Sequence, residues 1–537
     1  MSCGPESPRL AAAVASQFVT LTSASLGSRR GGKEARTGQQ PGGEAAPAEP
    51  LAAAAAAPAP ASPRRSPDGL DMACLNGVRA LSCLAVPVYH SWRVWSLLES
   101  YESVVVPLTE RSWMLKCAAA APHYARYAWL PASWLVSTAG NYSVDVFLVL
   151  TAMLAAHHLI PLLERPDTTD GATTTTTGAA NTGGGGSSLR RVAGYWSRRA
   201  RRILPAYLLT NLLMLAVGLV PKEGLPPDVR VVRNFMFGSC PRGVLSHLLF
   251  ISNFRLVAPG RVLPEDCGRQ LWSLAVQAQF YLAFPLLLCA LRPRARGFRA
   301  RVAAALAAAA AASVAWRCWA VAVAPPSLHL PFGDLALPEE AAAFASVTYA
   351  TYFPTQARTA ELALGALLGL ALRTPGALRW LGTRRVLVGA VALALQAACT
   401  YLALGWSAWG GLPGTQAWHP ATTRVFLALF QWGSPFVAAA ICATLLALML
   451  RSDPVHAAMT AALGSAPLKH LADLSYSIYL LHELARYWIV LYVLPPGLLP
   501  ALTAAAPLAA FVFQAGFTLA GAYLGALLMY GLVERRF

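Results

Sequence analysis

Four ionisable side chains, Arg79, His90, Asp145 and His482, stand inside stretches otherwise apolar enough to exclude water. In a membrane-spanning helix such groups are costly, and they face a bundle interior or a wet cavity. Arg79 and His90 lie in LNGVRALSCLAVPVYHSW. They are eleven residues apart, three helical turns, which puts them on one helix face about 16 Å apart along the axis. An imidazole titrating near neutrality can take a proton from a hydroxyl and return one to a leaving thiol. A structural reading stands beside this one. Arg79 could snorkel to lipid headgroups, and His90 could sit at the interface beside Trp92 and Trp95. Asp145, in NYSVDVFLVLTAML, can pair with an arginine, orient the histidine or cap its own helix.

Two further stretches carry polar groups at helical spacing. In QLWSLAVQAQFYLAFPLLL, Gln277 and Tyr281 are one turn apart, and Trp272 and Gln279 are two turns apart. In LADLSYSIYLLHELARYW, Ser475, Tyr479 and His482 form a stripe at i, i+4 and i+7. Such stripes line an acceptor site or serve as hydrogen-bonding glue between helices. A basic run, YWSRRARR, supplies Arg198, Arg199, Arg201 and Arg202. Guanidinium groups grip phosphates through paired hydrogen bonds. They also anchor a helix end on the cytosolic side of a membrane.

The elements that must position these groups follow from composition. Of 537 residues, 56% are hydrophobic and 13% charged. A soluble domain carries about 25% charged residues, so the bilayer must be the solvent here. The net charge of +18 resides in short loops between apolar runs, where membrane orientation explains it and nucleic-acid binding is not expected. Apolar runs long enough to cross hydrocarbon recur near 75–97, 142–163, 203–220, 270–291, 302–324, 359–372, 386–405, 424–450, 474–495 and 503–532. The expectation is an all-α integral membrane protein of roughly ten spans. The segment 245–257 is too short to span and reads as re-entrant or interfacial. Arginines cluster at 190–202, 292–301 and 373–385 and at the C-terminus, which places those loops and both termini in the cytosol. The 221–269 loop, on the other side, carries seven Lys/Arg of its own, but long loops follow that rule poorly.

Residues 1–71 are rich in Ala, Pro, Ser and Arg and read as a disordered arm, preceding a membrane domain at 72–537. The start of that arm reads as an organelle transit peptide or as a plain tail. Residues 168–188 read as a flexible Thr/Gly-rich cytosolic linker. The ten cysteines include no CxxC and no His/Cys cluster at zinc spacing, so no metal is expected. Cys240 and Cys267 share the 221–269 loop; they are either disulfide-bonded in an oxidising compartment or two unrelated thiols.

Five segments in order resemble the acyltransferase-3 family of membrane O-acyltransferases, most closely its eukaryotic "nose resistant to fluoxetine" branch. They are LNGVRALSCLAVPVYH (75–90), YSVDVFLVLTAML (142–154), YWSRRARRILPAYLL (195–209), LWSLAVQAQFYLAFPLL (271–287) and LSYSIYLLH (474–482). ARTAELALGALLG (357–369) and the terminal VERRF are weaker echoes, and the paired loop cysteines followed by Leu-Trp-Ser are similar to that branch. The resemblance implies a cytosolic acyl donor, a coenzyme A thioester, as co-substrate, with no bound cofactor. It implies a hydroxyl acceptor: a sugar, lipid, sterol or small molecule. It also implies His90 as the essential first-span histidine, Arg79 as its partner, and Arg198, Arg199, Arg201 and Arg202 as the arginine motif. Three departures stand out: Asn76 for an aspartate, Thr151-Ala152 for Ser-Gly, and Gln277 for an acidic residue. Asn and Gln keep hydrogen-bonding shape and lose charge. Asp145 is then the carboxylate left to balance Arg79 or orient His90. The leading expectation is acyl transfer in a plasma membrane or endomembrane, ahead of an organelle membrane. A transporter or lipid-handling protein, or an inactive relative, on the same scaffold stands behind it.

Overall fold

A chain in hydrocarbon must satisfy its backbone polar groups within each segment, and helices do so. The computed structural model describes residues 70–100, 131–166, 184–219, 240–255, 268–323, 350–409, 420–450, 453–488 and 507–536, with Leu498 and Leu502. Among the described residues there is no strand. The helices are α1 Cys74–Ser100, α2 Pro131–Glu164, α3 Gly184–Leu219, α4 Cys240–Leu248, α5 Trp272–Ala290, α6 Phe298–Ala322 and α7 Thr355–Leu372, followed by α8 Pro375–Thr383, α9 Arg385–Trp409, α10 Pro420–Leu450, α11 Pro454–Leu463, α12 Ala466–Trp488 and α13 Pro507–Leu532.

Each of the ten apolar runs falls on one helix of 18 residues or more. By length and hydropathy, six of these qualify as membrane spans among the described residues. Helix α7, bent by 91° into α8, makes a seventh. Of the other three long helices, α9 counts only as a shorter apolar helix, Arg385–Thr400, and α1 and α12 do not qualify among the described residues. Helix α12 misses it because Lys469, Asp473, Glu483 and Arg486 dilute its apolar character. The segment after Cys240 forms α4 and a single turn, Ser252–Arg255, both too short to span. Helix α3 begins at Gly184, so the end of the Thr/Gly-rich segment is its first turn rather than linker. Leu70 is already buried with Cys74 and Leu75, so the packed chain includes the last residues assigned to the arm.

Packing is closest where side chains are absent. Helix α7 presses on α2 through Gly365 and Gly369. A Cβ at Gly365 would stand 2.4 Å from the Val149 carbonyl oxygen, and one at Gly369 would stand 2.3 Å from that of Met153. Small residues four apart are how helices approach in a bilayer, where apolar burial no longer distinguishes neighbour from lipid. Helices α1 and α12 run in the same direction, since Arg79 meets Ser475 and His90 meets Glu483. Parallel packing therefore converts two sequence stripes into one seam.

Candidate active site

The seam between α1 and α12 has three levels. At the first, Arg79 donates to the Ala472 carbonyl (3.2 Å) and to Ser475 Oγ (3.1 Å). One turn on, the Cys83 thiol donates to the Ser475 carbonyl at 3.1 Å. Two turns further, His90 Nδ1 lies 3.0 Å from Glu483 Oε1. Arg486 holds that carboxylate from its other oxygen, as an ion pair, and also donates to the His90 carbonyl at 2.6 Å. Glu483 is 3% exposed and ion-paired, so it accepts rather than donates. The proton on His90 is therefore on Nδ1, and Nε2 keeps its lone pair. A carboxylate that fixes the tautomer in this way turns a histidine into an oriented base.

His482, one residue before Glu483, is fully buried. Its Nδ1 lies 2.6 Å from the Tyr479 carbonyl, and its ring is 5.1 Å from that of His90.

A cavity of about 140 Å³ opens beside the first level of the seam. Its lining includes Arg79, Arg199 and Arg202, with Thr151, Ser273, Gln277, Tyr281, Ser475 and Tyr479. Arg199 lies over the Tyr195 and Tyr281 rings, at 5.4 Å and 5.0 Å from their centroids, so its charge is held by two π-faces. Arg198, Arg201 and Arg202 are exposed and Arg199 is partly buried; Arg199 and Arg202, one turn apart, line the cavity, and Arg198 and Arg201 do not. Thr151 Oγ1 donates to Gln277 Oε1 at 3.3 Å, so two of the three departures from the family pattern touch each other. The Tyr479 hydroxyl donates to the Gln270 carbonyl and accepts from Ser273, both at 2.7 Å. Its ring is 5.6 Å from that of His482, so Tyr479 touches both the cavity and the histidine cluster.

Asp145 is elsewhere. It is ion-paired with Arg358, which also meets Glu361 at 3.1 Å and donates to Ser434 at 3.0 Å. Trp272 packs over Arg358, 5.6 Å from ring centroid to guanidinium, and does not line the cavity. Asp145 therefore pairs with an arginine, as one of its expected roles had it. The carboxylate at His90 is Glu483, and Arg79 meets Ser475 and a carbonyl rather than Asp145. Sequence reasoning passed over Glu483 because the matching segment LSYSIYLLH ends one residue before it. The signal lay in the next four residues, where Glu483 and Arg486 sit one turn apart. Cys240 is disulfide-bonded, and Cys267 lies outside the described residues.

Comparison with known proteins adds a separate line. The O-acetyltransferase OatA of Staphylococcus aureus (strain NCTC 8325) is 24% identical over 163 residues, covering 30% of this chain and 21% of its own. A putative O-acetyltransferase of S. aureus strain COL is 25% identical over 162 residues, covering 29% of this chain and 21% of its own. The chain spans about a fifth of the length of the curated relatives it matches. No solved structure matches it. The family model for an acyltransferase domain of the acyltransferase-3 type matches residues 72–527, nearly the whole chain beyond its N-terminal arm. With that match and an all-helical architecture of apolar spans, the chain belongs to the acyltransferase-3 family of multi-pass membrane proteins.

Proposed function

We propose that this protein is a membrane O-acyltransferase that moves an acyl group from a coenzyme A thioester to a hydroxyl. The observation that carries the reading is the His90–Glu483 pair, 3.0 Å apart and buttressed by Arg486, on the same α1–α12 seam as a cavity whose lining includes three arginines. In this scheme Arg199 and Arg202, with Arg79 behind them, hold the donor's phosphates through charge-assisted hydrogen bonds. The thioester end of the donor lies past Tyr479. His90 Nε2 takes the proton of the acceptor hydroxyl as its oxygen attacks the thioester carbonyl carbon. The tetrahedral intermediate collapses by breaking the C–S bond, and the departing thiolate recovers the proton from His90. Glu483 stabilises the imidazolium that exists between those steps, and no cofactor takes part.

The topology that fits is ten spans with both termini and the arginine cluster on the cytosolic side, where coenzyme A is present. The disulfide-bonded Cys240, ahead of Leu271-Trp272-Ser273, favours the nose-resistant-to-fluoxetine branch of the family. The acceptor is a sugar, lipid, sterol or small molecule, and the membrane is a plasma membrane or endomembrane. The printed activity of the staphylococcal relatives, O-acetyl transfer, makes acetyl the first acyl group to try. Release of coenzyme A thiol by the purified protein in liposomes, across a panel of hydroxyl acceptors, tests the reading. Acceptor-dependent release is expected. No release above protein-free liposomes with any donor and acceptor would defeat it.

A further inference from the structure

His482 has no part in that scheme, yet its ring is fully buried and its Nε2 faces the Glu483 carboxylate. The Tyr479 carbonyl, 2.6 Å from Nδ1, can only accept, so Nδ1 carries a proton. Nε2 lies 3.5 Å from Glu483 Oε1, and His90 Nδ1 approaches the same oxygen at 3.0 Å. Two imidazole nitrogens and a carboxylate oxygen thus converge in a low-dielectric interior, where a proton on Nε2 or a metal cation satisfies the carboxylate.

The spacing says which kind. The three ligand atoms of His90, His482 and Glu483 all lie within 4.8 Å of one another. A tetrahedral zinc ion with bonds near 2.0–2.2 Å needs ligand atoms about 3.3 Å apart, and the two edges that meet at Glu483 Oε1, 3.0 Å and 3.5 Å, bracket that value. Two imidazoles and one carboxylate suit zinc and the late first-row divalent ions rather than calcium or magnesium. Arg486 occupies the far oxygen of Glu483, leaving Oε1 to bind through a single bond in a fixed orientation. His90 is the one of the three ligands whose side chain is not sealed in the protein, at 29% exposed.

We propose that His90, His482 and Glu483 form a site for a divalent transition metal of the zinc type, and that its occupancy silences His90 as a base. The metal takes the Nδ1 lone pair of His90, and the displaced proton relocates to Nε2 of the same ring. No proton is released, and the nitrogen that served as base becomes a donor. The functional half of this inference rests on the acyl-transfer reading; the binding half does not.

The test uses the full-length chain in nanodiscs, with Zn²⁺ and Co²⁺ as probes. One Zn²⁺ per chain is expected by calorimetry, and Co²⁺ is expected to give the intense visible absorption of tetrahedral coordination. His482→Gln keeps a polar side chain but loses the imidazole ligand, and is expected to weaken Zn²⁺ binding at least tenfold. His456→Ala, at a partly exposed aspartate–histidine pair away from the seam, is expected to leave it unchanged. In wild-type protein, Zn²⁺ is expected to protect His90 from acylation by diethylpyrocarbonate, with chelator restoring reactivity. That arm needs no variant to fold. Acyl transfer, where it is present, is expected to fall at least tenfold with Zn²⁺ and return with chelator. In His482→Gln, scaled to its own zinc-free rate, the inhibiting concentration rises by the same factor as the dissociation constant. Equal Zn²⁺ affinity in wild type and His482→Gln, or no protection of His90, overturns the site. Binding without inhibition of an active enzyme overturns the regulatory half. A preparation that binds Zn²⁺ as described but transfers no acyl group counts against the acyl-transfer reading and leaves the metal site supported.

Discussion

Replacing Glu483 by glutamine changes one atom beside the proposed base, His90, and reverses the tautomer of its ring. The carboxylate has two acceptor oxygens and spends one on Arg486 and the other on His90. An amide has only one acceptor oxygen. Arg486 can only donate, so it claims that oxygen, and the new NH2 faces His90 Nδ1. The ring must then accept at Nδ1 and carry its proton on Nε2, the tautomer that cannot take a proton from a hydroxyl. Recovering the useful tautomer requires flipping the amide and facing its NH2 toward a buried guanidinium. Losing that charged hydrogen bond costs about 1.5–3 kcal/mol. The imidazolium formed during reaction also faces a neutral carbonyl instead of a carboxylate, worth about 1 kcal/mol more, since charge assistance roughly doubles a hydrogen bond. The sum, about 2.5–4 kcal/mol, corresponds to a loss in kcat on the order of 10²–10³-fold at 1.36 kcal/mol per decade. The donor KM is expected to stay within about twofold, because the cavity arginines are unaffected. Glu483→Asp keeps charge and tautomer but shortens the reach, so its loss is expected to be smaller. The assay is steady-state acyl transfer in liposomes, with rates scaled to the folded fraction found by thermal unfolding. A Glu483→Gln protein working within about threefold of wild type would refute the tautomer argument.

Other perturbations probe the cavity, the packing and the loop. The double change Arg199→Lys/Arg202→Lys preserves charge and loses the planar fork, so the donor KM is expected to rise about tenfold. Arg198→Lys/Arg201→Lys serves as the exposed control, and equal effects in both doubles would argue for topological anchoring alone. Gly365→Leu drives a side chain into the Val149 backbone, and thermal unfolding is expected to show severe destabilisation or no folded protein; a wild-type melting temperature would contradict the close approach. Asp145→Ala removes one of the two carboxylates paired with Arg358 in a dry interior and leaves Glu361 as the other, at a cost below the roughly 3–5 kcal/mol of a fully stranded charge. Its transfer rate per folded molecule is expected to change little, and a selective loss of kcat would return Asp145 to the catalytic group. Non-reducing peptide mapping is expected to find Cys240 joined to Cys267, a link that stabilises by about 3–4 kcal/mol in the chain-entropy model; both cysteines alkylated without reduction would reject it.

Much of the cavity was legible in the sequence because polar residues on apolar helices stand out against their background. Arg79, Arg199, Arg202, Gln277, Tyr281, Ser475 and Tyr479 were all visible as single-helix stripes, and all line one cavity. Pairings between helices were not legible. His90 and Glu483 are nearly four hundred residues apart, and no periodicity connects α1 to α12. Hydropathy misled at the same places. The sixth apolar run, 359–372, begins one residue after Arg358, whereas helix α7 starts at Thr355 and includes it. Pairing with Asp145 and Glu361 is what makes Arg358 tolerable there. Helix α12 fails a hydropathy test for a related reason, since the charges that disqualify it include two that build the site.

The most direct test of the central claim is single-turnover transfer of a labelled acyl group from its coenzyme A thioester to acceptor, comparing wild type with His90→Ala at equal folded concentration. The account predicts transfer by wild type and a loss on the order of 10²–10⁴-fold in the variant, the range expected for a general base. Donor binding, measured separately, is expected to be preserved. Transfer by His90→Ala at more than about a tenth of the wild-type rate would contradict the assignment of His90 as the base.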